Sequence, residues 1–293
     1  MKNLNCLIAA RWVAALPLLG LITMAAAAPR HSEPNKAVGA LKSRYLVGLQ
    51  LYTVRDDCAK DFPGVIKAVG KMGFTGVEFA GYYGRSAQEL RAMLDESHLK
   101  CYGTHIGMDT MLGDNFEKTV EFNKILGNKL LVIPWIDENK RNTPAAIKET
   151  AKTLNEIAKK LEPHGMILAY HCHKGDFITV NGFTSWELLF KSTDDRVKIQ
   201  FDSGNAMSAG VQGAPMVAKF PGRIISVHFK DFSSTNPNAL LGEGDEDWKS
   251  LVPMLKKTAG VRWYIIEQES YPFPPLECAE KCLRTFEKLM NSK

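Results

Sequence analysis

The sequence predicts an α/β protein of the (β/α)8 barrel class, also called a TIM barrel, and two observations support this prediction. Eight short apolar runs alternate with amphipathic segments from Tyr45 onward, and they fill about 250 residues, which is the usual size of such a barrel. A doubly wound open sheet is the rival architecture. It often has a glycine-rich first turn, whereas the run "YTVRDD" after the first predicted strand contains no glycine.

Each apolar run has the length and composition of a buried strand. The eight predicted strands, in chain order, cover residues 45–53, 76–80, 99–106, 129–136, 166–173, 197–202, 224–230 and 263–268. Stretches with apolar residues three and four apart lie between them, and the clearest predicted helices are 86–98, 115–127, 144–165 and 275–292. Two of these helices begin with capping signals, because Glu89 follows Ser86 by three residues and Thr143 precedes Pro144.

The residues before the first strand have the pattern of an export signal. Lys2 is followed by an apolar stretch at 12–24 that is too short to span a bilayer, and four alanines at 25–28 suit a signal peptidase. We therefore predict a signal peptide over residues 1–27, a polar leader over 28–43 and a single barrel domain over 44–293. The mature protein is expected to be periplasmic or secreted, with no membrane association after cleavage.

Charge and cysteine content exclude several classes of protein. The formal net charge is +5, and the basic residues are spread out, so nucleic acid is not an expected partner. Five cysteines remain outside the signal peptide, and their odd number and irregular spacing do not describe a disulfide framework. Cys278 and Cys282 lie one helical turn apart, which is an awkward geometry for a bridge, so we interpret them as packed thiols. An oligomer is compatible with the sequence.

Polar side chains gather at the carboxyl ends of the predicted strands, where barrel enzymes carry their chemistry. A single histidine at a strand end is more often a structural residue than a ligand. Many buried ionisable groups at one mouth are costly unless they are paired or bind a metal. Imidazoles and carboxylates are ligands that Zn²⁺, Mn²⁺, Co²⁺ or Mg²⁺ accept, so we predict one divalent ion. The strand-end residues are Gln50, Glu78, His105, His171, His173, Asp202, His228, Lys230, Glu267 and Glu269.

Seven local motifs, taken in their order and spacing, resemble one known family. They are "GLQLYTVRDD", "GFTGVEFAGYYG", "AYHCHKGDF", "FDSGNA", "SVHFKD", "LGEGDEDW" and "IIEQE". Together they are similar to the xylose isomerase-like barrels, which include sugar epimerases, inosose dehydratase and dehydroshikimate dehydratase. The resemblance covers the chain from about Val47 to Leu289. It implies one divalent cation, held by a carboxylate, an aspartate, a histidine and a glutamate after strands five to eight.

Three of these ligand positions match directly, and they fall on Asp202, His228 and Glu267. The fifth strand departs from the family pattern, because "HCH" stands where many epimerases have glutamate. Side chains two apart on a strand leave the same face, so both imidazoles are expected at the mouth. We favour His171 as the fourth ligand, and His173 and Asp176 are the alternatives.

The resemblance implies an enzyme that removes a proton next to a carbonyl through an enediolate. Without a glutamate after strand five, epimerisation by two carboxylates is in doubt. We expect Glu267 to act as both ligand and base, and His105 and His173 to return a proton or protonate a leaving group from the opposite wall. A histidine with a pKa near neutrality suits either role. The residues expected to bind substrate are Gln50, Glu78, Trp135 and Lys230.

The expected substrate is a small carbohydrate without phosphate. The loops "GEGDEDW" and "QESYPFP" do not resemble an anion-binding nest, and phosphorylated sugars are mostly intracellular. The first functional hypothesis is a metal-dependent isomerase or epimerase on a free sugar or keto-sugar. The alternative is a lyase or dehydratase on a keto-sugar or 3-keto-glycoside, and a second alternative is a sugar-binding barrel without activity.

Overall fold

Eight short strands pair in parallel and close on themselves, which confirms the predicted barrel. The structure is a computed structural model that describes residues 45–257 and 260–292, and these residues all belong to one compact unit. The predicted signal peptide (1–27) and polar leader (28–43) lie outside the described residues. The barrel strands are β1 Val47–Gln50, β2 Gly76–Phe79, β3 Lys100–His105, β4 Leu130–Ile133, β5 Ile167–His171, β8 Val197–Asp202, β9 Ile224–Phe229 and β10 Trp263–Ile266.

Every barrel strand lies inside one of the eight predicted ranges, and each pairs with its neighbour along the chain until β10 pairs with β1. A two-stranded hairpin, β6 Thr179–Val180 and β7 Phe183–Thr184, interrupts this order and was not predicted. The helices are α1 Arg55–Met72, α2 Ala87–Glu96, α3 Phe116–Leu126, α4 Pro144–Leu161, α5 Ser185–Ser192, α6 Ser203–Ser208, α7 Gly213–Ala218, α8 Trp248–Lys257 and α9 Pro275–Asn291.

The predicted capping signals are present in the structure. Ser86 and Glu89 form a reciprocal capping box at the start of α2. Thr143 accepts a hydrogen bond from the backbone N–H of Ala146, and Pro144 occupies the first turn of α4. The sequence therefore sets the start of both helices by local hydrogen bonding.

Two apolar cores hold the barrel. The larger core packs the outward faces of the strands against the helices, while the smaller one joins Leu130, Val132, Ala169 and Ile225 from three strands. Side chains alternate along a strand, so Leu130 and Val132 point into the barrel while Leu131 and Ile133 pack against the helices. The smaller core thus fills the barrel interior below the polar strand ends.

No helix within the described part of the chain has both the length and the apolar character that a membrane crossing needs. The five cysteines of this part are all free thiols, in agreement with the interpretation of Cys278 and Cys282 as packed side chains.

Candidate active site

Four of the predicted residues converge at the carboxyl end of the barrel. One potential ligand atom from each of them lies within 4.8 Å of the others, and all four side chains are buried. The strand register explains part of this arrangement, because Asp202 on β8 lies directly beside His228 on β9. We call this group the ligand cluster, and its members are His171, Asp202, His228 and Glu267.

One oxygen of the ligand cluster has no hydrogen-bond donor. Asp202 Oδ1 accepts the backbone N–H of Asn205 at 2.6 Å, whereas the buried Oδ2 has no hydrogen-bond partner. Oδ2 lies 3.6 Å from His228 Nδ1 and 3.8 Å from His171 Nε2. A buried carboxylate oxygen without a partner is costly. A divalent cation would satisfy this oxygen, and two imidazoles with two carboxylates are a donor set that Zn²⁺, Mn²⁺ or Co²⁺ accepts. The residues therefore fit a metal.

The two histidines of the cluster are oriented by hydrogen bonds on their other nitrogen atoms. His228 Nε2 lies 2.7 Å from Glu78 Oε2, and His171 Nδ1 lies 3.0 Å from Gln200 Oε1. The contact with Gln200 assigns the N–H of His171 to Nδ1 and leaves its Nε2 as a lone pair facing Asp202. His228 Nδ1 lies 3.0 Å from Glu267 Oε2, so both nitrogens of this ring face carboxylates, and a bound cation would take the place of the proton on Nδ1. Such outer partners fix the ring and its tautomer in metal sites.

A second set of side chains lies directly below the ligand cluster. Glu78 accepts hydrogen bonds from Gln50 Nε2 at 2.8 Å and from Gln200 Nε2 at 2.6 Å, and Gln200 also donates to Ser226. His105 Nε2 lies 2.7 Å from Gln200 Oε1 and 3.1 Å from Glu78 Oε2. We call these residues the interior polar layer, and they are Gln50, Glu78, His105, Gln200 and Ser226.

A glycine makes room for the central carboxylate of this layer. Gly103 lies beside Glu78 in the pairing of β2 with β3. A Cβ atom at position 103 would lie 2.5 Å from Glu78 Oε1, which is closer than real contacts of this kind. Any larger residue at this position would therefore displace Glu78.

The pKa directions define the charges at the site. Burial would raise the pKa of Glu78, but His105 and His228 lower it more. Burial also favours neutral His228, yet Glu78 and Glu267 raise its pKa well above the usual value. The pKa of Glu267 is lowered well below normal despite burial, mainly by Lys230 and His228. Burial and neighbouring histidines lower the pKa of His171, so its imidazole is uncharged at neutral pH.

An open cavity of about 300 Å³ lies above the ligand cluster. His105, His171, His173 and Glu267 all line it, and the half-exposed Trp135 stands at its edge with its ring centroid 5.4 Å from that of His173. A larger cavity of about 590 Å³ lies at the opposite, amino-terminal end of the strands and contains none of the predicted site residues. The chemistry therefore belongs to the smaller cavity.

The structure distinguishes the three candidates on the fifth strand. Asp176 Oδ1 accepts the Tyr170 hydroxyl at 2.5 Å, its Oδ2 accepts the backbone N–H of His173 at 2.7 Å, and Arg141 lies 3.4 Å away. Both oxygens are thus engaged away from the ligand cluster. His173 lines the cavity but is outside the cluster, whereas His171 belongs to it. The geometry favours His171 as the fourth ligand.

Two predicted substrate-binding residues lie elsewhere than expected. Gln50 and Glu78 are completely buried in the interior polar layer, so they face the histidines rather than the cavity. Lys230 is also mostly buried, and its ammonium group lies 3.1 Å from Glu269, 3.4 Å from Glu267 and 3.4 Å from Asn205. Its charge therefore orients the two glutamates at the cavity rim.

Sequence reasoning missed Gln200 and Asn205. Gln200 binds both His105 and His171, and Asn205 Nδ2 donates to the carbonyl of Cys172 at 3.0 Å and lies 3.4 Å from His171 Nε2. Gln200 precedes Asp202 by two residues on one strand, so the two side chains share a face. That spacing was a signal that could have found it.

Comparison with known proteins identifies the class to which this barrel and site belong. A family model described as "Xylose isomerase-like TIM barrel" matches residues 66–289. The chain therefore belongs to the xylose isomerase-like TIM barrel family, as the motifs indicated.

Individual relatives are distant. An inosose dehydratase of Salmonella agona (strain SL483) is 28% identical over 160 residues, which are 47% of this chain and 52% of that protein. A sugar phosphate isomerase/epimerase structure from Parabacteroides distasonis ATCC 8503 superposes with a TM-score of 0.74 at 20% identity, covering 87% of this chain and 98% of the other. The structure of the IolI protein with a bound zinc atom has a TM-score of 0.64 at 16% identity, covering 83% and 97%. At these identities the two structures show a shared fold.

Proposed function

We propose that this protein is a divalent-metal-dependent sugar isomerase or epimerase that removes a proton next to the carbonyl of a non-phosphorylated keto-sugar. The observation that carries the proposal is the ligand cluster at the floor of an open cavity, with one buried oxygen of Asp202 lacking any donor. A bound divalent ion would supply Lewis acidity to the carbonyl and the neighbouring hydroxyl of the sugar. His171, Asp202, His228 and Glu267 would hold that ion.

The two walls of the cavity carry groups that can move protons. Glu267 is ionised and can accept a proton from the substrate C–H through an oxygen that is not engaged by the ion, giving an enediolate. On the facing wall, burial lowers the pKa of His173, which is therefore a neutral imidazole able to accept a proton, and it can return one to carbon only after it has taken up a proton from solvent or substrate. His105 lies deeper, with its Nε2 committed to Gln200 and Glu78, so we assign it an orienting role and His173 the proton transfer.

The cavity lining supports a substrate without phosphate. No lysine or arginine occurs among the described residues that line it, and the nearest ammonium group, that of Lys230, is paired with Glu267 and Glu269. A phosphate dianion at this place would meet the carboxylates of Glu267 and Glu269, and no lysine or arginine of the lining would pair with it. Neutral hydroxyl groups would instead find donors and acceptors on both walls.

A lyase or dehydratase acting on a keto-sugar or 3-keto-glycoside is the second candidate. The inosose dehydratase relative and the histidine in the fifth-strand ligand position favour it. The first step is the same proton removal. The outcome then depends on whether a proton returns to carbon or a β-substituent leaves with a proton from His173, which must first have taken up that proton from solvent or substrate.

Incubation with candidate keto-sugars in D₂O, followed by mass spectrometry and NMR, separates these outcomes. Isomerisation or epimerisation adds deuterium at carbon and keeps the atoms of the sugar, whereas elimination releases water or an aglycone. Asp202→Ala is the matched control and is expected to abolish exchange together with metal binding. Absence of deuterium exchange in every candidate sugar with metal-loaded protein would contradict the proposed activity and favour the alternative of a sugar-binding barrel.

We also propose that the protein acts outside the cytoplasm, on the basis of the apolar segment at 12–24 and the four alanines at 25–28. Sequencing the N-terminus of exported material is expected to find a start near Ala28. Mature protein that still begins at Met1 would contradict export by this signal.

A further inference from the structure

A second cavity of about 440 Å³ opens beside the first at the same end of the barrel. The loops after β8, β9 and β10 line it, whereas the first cavity is lined mainly by residues after β1 to β5. Glu269 lines both cavities. Glu269 therefore stands where the two spaces meet, two residues along the chain from Glu267 of the ligand cluster.

Lys230 lines the second cavity and forms ion pairs with two glutamates that line the first. Its side chain forms part of the wall of the second cavity, and its ammonium group lies 3.4 Å from Glu267 and 3.1 Å from Glu269, which face the first. Its own charge is compensated by these carboxylates and by Asp202 at 3.8 Å. A substrate that extends from the first cavity would pass this ion pair.

The walls of the second cavity suit a neutral group rich in hydroxyls. Asn205, Asn236 and Gln268 line it together with three serines, and the half-buried ring of Phe232 adds an apolar face of the kind on which sugar rings pack. The amide groups of Asn205 and Gln268 are held in place by hydrogen bonds to backbone carbonyls. The charged groups other than Lys230 are the carboxylates of Asp231 and Glu269, which would repel a phosphate or carboxylate.

The loop that forms the outer wall is fixed in place. Asp231 Oδ2 accepts hydrogen bonds from the backbone N–H of Gly242 at 2.7 Å and from Trp248 Nε1 at 2.8 Å, and its Oδ1 accepts the N–H of Phe232 at 3.0 Å. Both oxygens of Asp231 therefore hold the loop together. A wall fixed in this way loses little conformational freedom when a ligand binds.

We propose that the second cavity is a subsite for a further sugar ring, so that the substrate class is a two-ring glycoside whose first ring reacts above the ligand cluster. This inference rests on the proposed function, because it extends the substrate of the same site. The volumes of the two cavities together lie within the range of small-molecule sites.

The test measures binding of cellobiose and of glucose to metal-loaded protein by titration calorimetry, which needs no turnover. A subsite that adds two or three hydrogen bonds is expected to make cellobiose bind at least about tenfold tighter than glucose. Asn236→Trp places a large side chain in the second cavity and is expected to bring the two affinities together. Asn238→Trp is the matched control, because Asn238 is exposed on the same loop outside the cavity lining, and it is expected to keep the preference.

Equal affinities for the two sugars in the unmodified protein, or an unchanged preference in Asn236→Trp, would overturn the subsite. The binding measurement and the deuterium-exchange test can succeed or fail independently of each other. A preference for cellobiose without any exchange supports the subsite and refutes the proposed chemistry. Exchange without the preference supports the chemistry and refutes the subsite.

Discussion

Replacing Glu78 by glutamine tests whether the interior polar layer controls the metal site. The carboxylate of Glu78 has four close contacts. Its Oε1 lies 2.6 Å from Gln200 Nε2, and its Oε2 lies within 3.1 Å of nitrogen atoms of His228, His105 and Gln50. An amide at this position keeps the size but turns one acceptor into a donor. That donor would lie against the NH₂ group of either Gln200 or Gln50.

The Glu78→Gln substitution is also expected to affect the histidines of the ligand cluster. If Gln200 rotates its amide to relieve the contact, its NH₂ group faces His171 Nδ1, which then becomes the acceptor and moves the ring proton to Nε2. The ligand nitrogen would thereby lose its lone pair. Loss of an outer partner commonly weakens metal affinity by 10- to 100-fold, which is about 1.4–2.8 kcal/mol. The opposed donors also lower the free energy of unfolding by about 1–3 kcal/mol.

The assay titrates Zn²⁺ or Mn²⁺ into chelator-stripped protein by calorimetry, with a competing chelator for tight binding, and records melting with and without metal. Glu121→Gln on the exposed face of α3 is the control for loss of a carboxylate. Glu78→Asp keeps the charge and is expected to retain more metal affinity than Glu78→Gln. A metal affinity of Glu78→Gln within about threefold of the unmodified protein, with normal folding, would refute the reasoning.

Three other predictions follow from the described residues. The His173→Ala variant is expected to keep its metal and lose turnover, because the ring of His173 lines the cavity outside the ligand cluster. If metal analysis shows that this variant has lost the ion, His173 is the ligand after the fifth barrel strand. Burial and the nearby Asp231 raise the pKa of Glu246 to about 7. Between about pH 4.5 and pH 7 the folded protein therefore keeps a proton on Glu246 that the unfolded chain has released. Because the folded state binds more protons, the free energy of unfolding falls as the pH rises through this range. Glu246→Gln is expected to flatten this fall, by up to about 1–3 kcal/mol at pH 8 in denaturant titrations, while the exposed control Glu243→Gln keeps the slope. Since Cys278 and Cys282 are free thiols, melting is expected to be the same with and without reductant, and a large drop with reductant would reveal an essential disulfide.

Local sequence patterns were sufficient to predict the barrel and to place ionisable residues at its mouth, whereas the choice of ligands among those residues came from the resemblance to the family. Apolar runs of strand length identified all eight strands, and ionisable residues after those runs drew attention to Asp202, His228 and Glu267. Gln200 carries no charge and sits inside an apolar strand, so only its spacing of two residues from Asp202 pointed to it. The depth of Glu78 depends on a shift in register between β2 and β3 and on the small size of Gly103, and neither is visible in one strand alone.

The hairpin of β6 and β7 was also not predicted, although its turn carries a clear sequence signal. Its turn contains Asn181 and Gly182, both with positive φ, of 48° and 81°. An Asn-Gly pair between two apolar residues is a strong local signal for such a turn. Strands of two residues are too short to show the apolar run by which the barrel strands were predicted.

The interior polar layer has a consequence for how the chain folds. Its hydrogen bonds, with those to His171 and His228, join residues of six strands, namely β1, β2, β3, β5, β8 and β9. A slip of one residue in any of these strands would turn its polar side chain toward the helices and leave its partners inside the barrel without bonds. Misaligned barrels therefore carry buried groups that only the native alignment satisfies. The contacts that aim the ligand histidines thus also select the correct strand alignment during folding.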